Sequence, residues 1–235
     1  EEAIAVDPAI GNMSDEVIAA VYSASDDVAD SQLFTSRLTE WLDSQDAAEF
    51  RLSSQARQLV EHKGRVRGVV VDGDELEADA VVVCLGAWAQ DFLQAAGINP
   101  HIVPVRGYSI TLPPGPSAPD VSVTALKYKM VYSRLNGATR IAGFADFTGF
   151  DTSADDERIR LLSNMAQEFA PQAADYDSSD ATAWGGFRPM TPDGRPLVGA
   201  TKVPGLYINV GHGMLGWTLA CATAHDAAHA VANLH

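Results

Sequence analysis

The chain has 235 residues and a hydrophobic fraction of 46%, which allows one large globular domain or two small ones. Its 31 acidic and 16 basic residues give a net charge of −15, and a chain this acidic repels nucleic acid and anionic membrane surfaces. No apolar run approaches the roughly 20 residues that span a bilayer. We therefore expect neither a nucleic-acid partner nor a transmembrane segment.

The two cysteines and the first residues indicate the redox state and the cellular location of the chain. Cys84 and Cys221 are too few for a disulfide framework, and we expect both to be buried, reduced packing residues. Glu1-Glu2-Ala3-Ile4 lacks the positive and apolar regions of a secretion signal, and there is no initiator methionine. These features predict a cytoplasmic chain that is a fragment or a processed product.

The first 80 residues run from a turn-rich start through a helix into strands. Residues 1–30 hold many turn signals, and Leu33–Leu42 then places its apolar residues at helical spacing behind Ser31, a residue type that caps helices. Strands are predicted at Ala48–Leu52, Ala56–His62, Arg65–Val71 and Glu75–Ala78.

A continuous apolar run, Ala80–Leu85, follows these strands. Such a run is typical of a strand that is buried on both faces of a parallel sheet. It stops at Gly86, and Trp88–Ala96 has the pattern of a helix. Because strand, glycine and helix in this order place backbone N–H groups at the carboxyl end of a sheet, the segment predicts a ligand site there.

The section from 101 to 183 has an antiparallel pattern instead. Val103–Leu112 alternates apolar and polar residues, and the strands Lys127–Leu135 and Thr139–Phe144 flank a turn at Asn136-Gly137. This section predicts an α+β module inserted between two α/β pieces.

A helix predicted over Asp155–Phe169 completes this module. Ser153 is the expected cap, and acidic residues occupy the first turn. The residues predicted on its apolar face are Ile159, Leu162, Ala166 and Phe169.

The last part of the chain returns to an α/β pattern. It begins with a glycine- and proline-rich stretch, Trp184–Gly194, and continues through a strand over Leu206–Val210. The glycine-rich segment Gly211–Gly216 leads into an alanine-rich helix predicted over Thr218–Leu234.

Gly211-His212-Gly213-Met214-Leu215-Gly216 is a literal G-x-G-x-x-G that follows a strand and opens a helix. We do not interpret it as a dinucleotide fingerprint, because no second strand with its acidic residue follows. Glycines before a helix N-terminus can still bind an anion or a carbonyl group, such as the N1–C2=O edge of a flavin. A plain turn with a helix cap is the alternative interpretation.

Arg188 lies between two glycines and a proline-rich turn. A guanidinium on a stiff backbone can hold a carboxylate through two parallel hydrogen bonds. A surface or structural arginine is the alternative, and the nearby glycine segment favours the binding role.

The six histidines lack metal-ligand spacing, except for His225 and His229 at helical positions i and i+4. We interpret this pair as a solvated helix end and expect no metal. The sequence also shows no obvious Ser-His-Asp constellation.

These segments resemble the D-amino acid oxidase-like flavoprotein family, in particular its bacterial D-amino acid dehydrogenase branch. The resemblance is carried by the motif from Gly186 to Pro196 and by the segment from Gly211 to Thr218. Three further segments are similar to parts of that family: Tyr22–Leu38, Val83–Trp88 and Val105–Tyr108. The resemblance to this family covers essentially the whole chain.

The resemblance implies roles for individual residues. Arg188 would bind the substrate carboxylate and serve as the catalytic residue. Tyr132 and Met130 are expected on the wall of the substrate pocket, although for Tyr132 a core aromatic of the sheet is an equal alternative. The residues implied along the flavin ring are Gly213, Met214, Leu215, Gly216, Trp217 and Thr218, and those implied near the adenosine or pyrophosphate are Gly86, Ala87 and Trp88.

The implied fold is α/β plus α+β, a partial Rossmann-like FAD-binding domain with an inserted antiparallel-sheet substrate domain. Residues 1–30 and 100–183 would belong to the substrate domain, and residues 31–99 and 184–235 to the FAD domain. Family members begin with a strand, a G-x-G-x-x-G turn and a helix, which this sequence lacks. The sequence therefore predicts weak FAD binding or none by this chain alone, and a homo-oligomer or a second chain that completes the fold.

The implied activity is oxidation of D-amino acids by hydride transfer to flavin N5, with FAD as the cofactor of the full-length enzyme. A glycine- or sarcosine-type amine oxidase and a non-catalytic assembly subunit remain alternatives. Peripheral attachment to the inner membrane is left open beside the cytoplasmic location.

Overall fold

A computed structural model describes residues 1–45, 48–153 and 155–233 of the chain. Over these residues the helices are α1 (Glu2–Val6), α2 (Ser31–Asp43), α3 (Ala89–Ala95), α4 (Asp155–Phe169) and α5 (Gly216–Ala232). The strands are β1 (Ala56–His62), β2 (Arg65–Val71), β3 (Asp74–Glu77), β4 (Val81–Val83), β5 (Val103–Leu112), β6 (Val123–Ala125), β7 (Met130–Leu135), β8 (Ala138–Asp146), β9 (Thr182–Met190), β10 (Leu197–Ala200) and β11 (Leu206–Val210). The end of the last predicted helix, at Leu234, lies outside the described residues.

The chain folds into two compact units, each built from two stretches. Unit 1 contains Glu1–Glu40 and Arg106–Gly186, and unit 2 contains Trp41–Val105 and Phe187–His235. Strands β5 and β9 each run from one unit into the other. The assignment of the segments to a substrate domain and an FAD domain stays a prediction.

Unit 1 is built on an antiparallel sheet, whose strand order continues into β9 as β6-β7-β8-β5-β9. The β7–β8 hairpin turns at Asn136 and Gly137, whose φ angles of 51° and 81° give the left-handed pair that a two-residue hairpin requires. The predicted inserted antiparallel sheet is therefore confirmed.

Helix α4 packs on this sheet through the face that the sequence predicted. Leu162, Ala166 and Phe169 are buried, and Ile159 is partly buried against the same core. The predicted cap, Ser153, adjoins Ala154, which lies outside the described residues, so its capping role stays a prediction. At the other side of Ala154, Asp155 forms a largely buried ion pair with Arg106 of β5.

Unit 2 contains two small sheets and two helices. Strands β1, β2 and β3 form an antiparallel meander, whereas β10, β11 and β4 form a mixed sheet in which β11 and β4 are parallel. The buried core of this unit comprises Val66, Val83, Ala89, Leu93, Ile102, Leu206 and Val210. Together the two units confirm the predicted class, α/β plus α+β.

Strand β4 is shorter and less covered than the sequence predicted. Only Val81–Val83 of the apolar run Ala80–Leu85 forms the strand, and Val82 is 40% exposed. Among the described residues β4 pairs with β11 alone, so its other edge is open. The prediction of burial on both faces is therefore wrong for this chain, because Val83 is buried on one face whereas Val82 on the other face is exposed.

Both cysteines are exposed, and the prediction that they are buried is wrong. Cys84 directly follows the open strand β4, which leaves it uncovered. Cys221 lies on the outward face of α5, whereas Thr223 and Ala227 are the buried residues of that helix.

Two further local predictions are wrong. Ala48–Leu52 forms no strand. Helix α2 is capped by Asp30 instead of Ser31, since the Asp30 carboxylate accepts hydrogen bonds from the backbone N–H groups of Gln32 and Leu33 at 2.9 and 3.1 Å. No helix in the described part of the chain is long and apolar enough to cross a membrane.

Candidate functional site

Two turns meet at one edge of the mixed sheet of unit 2. Strands β11 and β4 run parallel, with Leu206 opposite Val81 and Ile208 opposite Val83. Because the carboxyl ends of parallel neighbours lie at the same edge, the turn that follows each strand lies there too. The predicted ligand site at this edge is formed by Gly86–Trp88 after β4 and by the glycine turn, Gly211–Gly216, after β11.

The glycine turn needs its first two glycines. Gly211 and Gly213 have φ angles of 79° and 55°, in the left-handed region that side chains disfavour. A Cβ at 211 would lie 2.6 Å from Cγ2 of Thr191, and one at 213 would lie 2.9 Å from the Met190 sulfur. The turn is thus packed directly against the end of β9.

Among the described residues, no side chain caps α5 where this turn enters the helix. A short 3₁₀ turn, Gly213–Leu215, precedes the helix, and Leu215 at the cap position offers no side-chain acceptor to the first helical N–H groups. These groups and the positive end of the helix dipole favour a partial negative charge at this point. The G-x-G-x-x-G letters therefore describe a helix-start turn that can hold an anionic or carbonyl edge.

The turn after β4 presents an aromatic ring to the same edge. Gly86 has a φ angle of 54° and open space where a Cβ would stand. Ala87 is buried, whereas Trp88 is 61% exposed. The Trp88 ring meets Phe187 of β9 edge to face, with 6.1 Å between the ring centroids.

Arg188 lies on β9, in a stretch whose other residues contact the two turns. Its neighbour Phe187 contacts Trp88, and Met190, two residues further on, lies against Gly213. The Arg188 side chain is half-buried, and this burial lowers the pKa of its guanidinium, which still remains charged at neutral pH. A partly desolvated, permanently charged fork suits two-point binding of a carboxylate.

A rigid turn after β9 fixes the backbone that carries Arg188. The Thr191 hydroxyl donates to the Arg195 carbonyl at 2.9 Å, and the Asp193 carboxylate accepts from the Arg195 N–H at 3.1 Å. Gly194 completes the turn with a φ angle of 72°. These contacts restrict the backbone of Thr191–Gly194 directly after β9, and so limit the movement of the strand end that carries Arg188.

A cavity of about 280 Å³ opens beside the glycine turn. It is lined by Pro189, Asn209, His212, Gly213, Gly216, Ala220 and Thr223. Within the described residues, the buried Asn209 Oδ1 has no hydrogen-bond partner, so the wall offers an acceptor to a ligand. Small-molecule pockets usually measure about 300–1,000 Å³, so this cavity has room for part of a ligand and not for a whole dinucleotide.

The structure therefore groups most of the predicted site residues. Gly86, Ala87 and Trp88 share one edge of the sheet with Gly213, Met214, Leu215 and Gly216, and Arg188 lies beside both turns. Trp217 and Thr218 follow in the first turn of α5. Binding of a cofactor or substrate by these residues stays a prediction.

Tyr132 and Met130, predicted for the pocket wall, are fully buried in the core of unit 1. The Tyr132 hydroxyl donates to the Ala166 carbonyl at 3.0 Å, and burial raises the pKa of Tyr132 strongly. Such a position matches the alternative interpretation, a core aromatic of the sheet. A substrate role for either residue stays a prediction.

Two residues of the site were not singled out from the sequence. Asn209 is a polar residue inside the apolar strand Leu206–Val210, which is an uncommon placement that marks it. His212 lies between two glycines, and its Nε2 atom is 3.1 Å from the Thr223 hydroxyl. The predicted solvated pair, His225 and His229, is exposed on α5, as expected.

Comparison with known proteins identifies the family of the chain. Over 227 residues the chain is 35% identical to a D-amino acid dehydrogenase of Vibrio vulnificus, in a match that covers 96% of this chain and 54% of the relative. A D-amino acid dehydrogenase of Chromohalobacter salexigens is 34% identical over the same shares of the two chains. The chain spans about half the length of the curated relatives it matches.

The fold is similar to that of L-proline dehydrogenase from P. horikoshii, with a TM-score of 0.69 and 20% identity over 85% of this chain and 54% of that chain. Glycine oxidase from Geobacillus kaustophilus gives a TM-score of 0.64 and 22% identity over 77% of this chain and 49% of that chain. At these identities the two likenesses show the fold alone. A family model described as FAD dependent oxidoreductase (DAO) matches residues 1–230, and the chain belongs to this family.

Proposed function

We propose that this chain forms the carboxylate-binding part and the ring-facing part of an FAD-dependent enzyme that oxidises D-amino acids to imino acids. The observation that carries the proposal is that β9, which bears the half-buried Arg188, contacts through Phe187 and Met190 both turns that follow the parallel strands. The similarity to D-amino acid dehydrogenases supports the substrate class.

Arg188 would bind and orient the substrate. Its guanidinium donates two parallel hydrogen bonds to the α-carboxylate, which fixes the Cα–H bond relative to the glycine turn. Partial burial strengthens this interaction because water competes less for both charged groups. The rigid turn from Thr191 to Arg195 keeps the arginine in place before substrate arrives.

The glycine turn would hold the cofactor's reacting ring. When bound, FAD supplies the hydride acceptor of the reaction. The N–H groups around Gly213 and Gly216 and the N-terminus of α5 favour the negative charge that a reduced ring carries. The small side chains of the cavity wall and the acceptor of Asn209 suit a flat ring with polar edges.

We further propose that a segment equivalent to the rest of the relatives' length completes the sheet at the open edge of β4. It would pair with Val81–Val83 and cover Val82, Leu85 and Trp88, which are exposed in this chain. Whether covalently joined or supplied as a second chain, that segment would provide the contacts for the rest of FAD.

Flavin binding tests this requirement. The purified 235-residue chain should bind FAD substoichiometrically, whereas a protein that also contains the equivalent of the relatives' remaining length should retain FAD in a one-to-one ratio. Absorbance of the flavin band after gel filtration measures both. Stoichiometric FAD on the 235-residue chain alone would contradict the need for completion, and no FAD on either protein would contradict the proposed function.

The role of Arg188 is tested in the flavin-loaded protein. Arg188→Ala should raise KM for D-amino acids by about 100-fold, since a charge-assisted, two-point contact of roughly 2–3 kcal/mol is lost. Arg188→Lys should recover only part of this, because an ammonium group cannot form the planar fork. Arg195→Ala, at an exposed position of the neighbouring turn, is the matched control and should leave KM unchanged.

A substrate without a carboxylate separates binding from damage to the fold. Amines that correspond to the decarboxylated substrates should react equally slowly with the parent protein and with Arg188→Ala. Unchanged KM for D-amino acids in Arg188→Ala would show that another group binds the carboxylate.

A further inference from the structure

A side-chain hydrogen bond, which we call the tie, connects the glycine turn to α5. His212 projects from the turn, and its Nε2 atom lies 3.1 Å from Oγ1 of Thr223, two helical turns into α5. Thr223 is buried, so this contact is shielded from water. The residues on either side of His212, Gly211 and Gly213, are the two glycines with left-handed backbones.

The hydrogen-bond pattern around Thr223 indicates which ring nitrogen of His212 carries the proton. The Thr223 hydroxyl has a single hydrogen and lies 3.0 Å from the Leu219 carbonyl and 3.4 Å from the Ala220 carbonyl, both of which can only accept. We infer that the hydroxyl donates to the backbone of its own helix, as threonines inside helices commonly do. In this arrangement the hydroxyl oxygen accepts, and His212 donates from Nε2–H.

The turn needs this restraint because two of its residues are glycines, which leave the backbone flexible. Glycines occupy about twice the backbone space of other residues, so two of them beside one residue leave a turn that adopts many conformations unless something restrains it. The Leu215 N–H donates to the His212 carbonyl at 3.0 Å, and a Cβ at Gly216 would lie 3.5 Å from His212 Cβ. His212 is thus at the centre of the turn's contacts.

We propose that His212 is a positioning residue, which donates from Nε2 to Thr223 and so fixes the backbone N–H groups of the glycine turn in the arrangement that receives a flavin ring. The flavin part of this inference rests on the proposed function. The tie between His212 and Thr223 is a property of the chain by itself.

Two measurements on the 235-residue chain test the tie. Long-range ¹H–¹⁵N NMR should show His212 protonated at Nε2 and unprotonated at Nδ1. Amide hydrogen exchange at Leu215 should become about fivefold faster in His212→Asn, as expected for the loss of one hydrogen bond. His225→Asn, which changes an exposed histidine of α5, is the control and should leave that rate unchanged.

Further variants distinguish the tie from general loosening. His212→Gln places an amide donor at a similar reach and should restore slow exchange at Leu215. Thr223→Val keeps the shape of the side chain but removes the acceptor, so it should match His212→Asn. The double variant should exchange no faster than either single one.

Protonation of His212 at Nδ1, or additive effects in the double variant, would overturn the inference. In the flavin-loaded protein, His212→Asn should weaken FAD binding and shift the flavin absorbance band, and His212→Gln should restore both. If the tie is observed but these two flavin readouts do not change in His212→Asn, the positioning role is wrong. If the parent protein binds no FAD, the proposed function fails while the NMR and exchange results still decide the tie.

Discussion

The core beneath α4 of unit 1 and the edge of unit 2 that carries the two turns differ in how far their apolar residues are buried. In unit 1 the residues between the sheet and α4, such as Tyr132, Ile141 and Leu162, are completely buried. In unit 2 the edge strand β4 and the two turns leave apolar side chains in water, including Met214 at 72% exposure. Exposed apolar residues that are grouped at one edge of a sheet favour a surface that binds another molecule or segment.

A matched pair of leucine substitutions should show the largest difference between these regions. Leu162→Ala should lower the free energy of unfolding by about 3 kcal/mol, because it opens a cavity in a closed core. Leu215→Ala, at a half-exposed position, should change it by less than about 0.5 kcal/mol. Urea unfolding followed by circular dichroism measures both. Equal losses would show that the glycine turn is packed in solution in a way that the structure does not show.

A pair of glycine substitutions sharpens the comparison within unit 2. Gly211→Ala should cost about 2 kcal/mol, because it adds a left-handed alanine and a Cβ 2.6 Å from Thr191 Cγ2. Gly86→Ala has the same backbone cost but open space around the new Cβ, so about 1 kcal/mol is expected. The difference in thermal midpoint between the two variants is the measurement. A larger loss for Gly86→Ala would mean that the turn after β4 is not open.

The smallest effect concerns pH. Burial lowers the pKa of His212 below its usual 6.5. Between that lowered pKa and 6.5 the unfolded chain binds more protons than the folded one, so stability rises with pH in this window and falls as the solution is acidified through it. His212→Gln should remove this part of the pH dependence. The test compares unfolding free energies of both proteins between pH 5 and 8, and parallel curves would contradict the predicted contribution of His212.

The sequence predicted elements well where local chemistry decides them. Asn136-Gly137 requires left-handed backbones and gave a tight hairpin, and the helical spacing of Leu162, Ala166 and Phe169 identified the buried face of α4. The prediction from the sequence was wrong where the burial of a strand depends on a neighbouring strand. The run Ala80–Leu85 has the composition of a central strand, but its coverage depends on a second neighbour that the described residues do not supply.

The candidate site shows the same division. The binding role that the pattern of Arg188 and the glycine segment predicts stays a prediction, whereas the helix-start turn over Gly211–Gly216 follows from local chemistry. The tie between His212 and Thr223 could not be predicted, because it depends on the path of the chain from the turn into α5. Phe187 and Trp88 are 99 residues apart in the sequence, and no local pattern could predict that their rings are in contact.

The open edge of β4 also bears on how this chain behaves inside a cell. A strand edge with free N–H and C=O groups, next to the exposed apolar residues Val82 and Leu85, is a template on which a second molecule can add its own strand. Newly made chains would therefore compete between correct completion and self-association, with the outcome set by concentration and by chaperones. Under the proposed completion of the sheet, the supply of the completing segment relative to this chain would set how much of the chain escapes self-association.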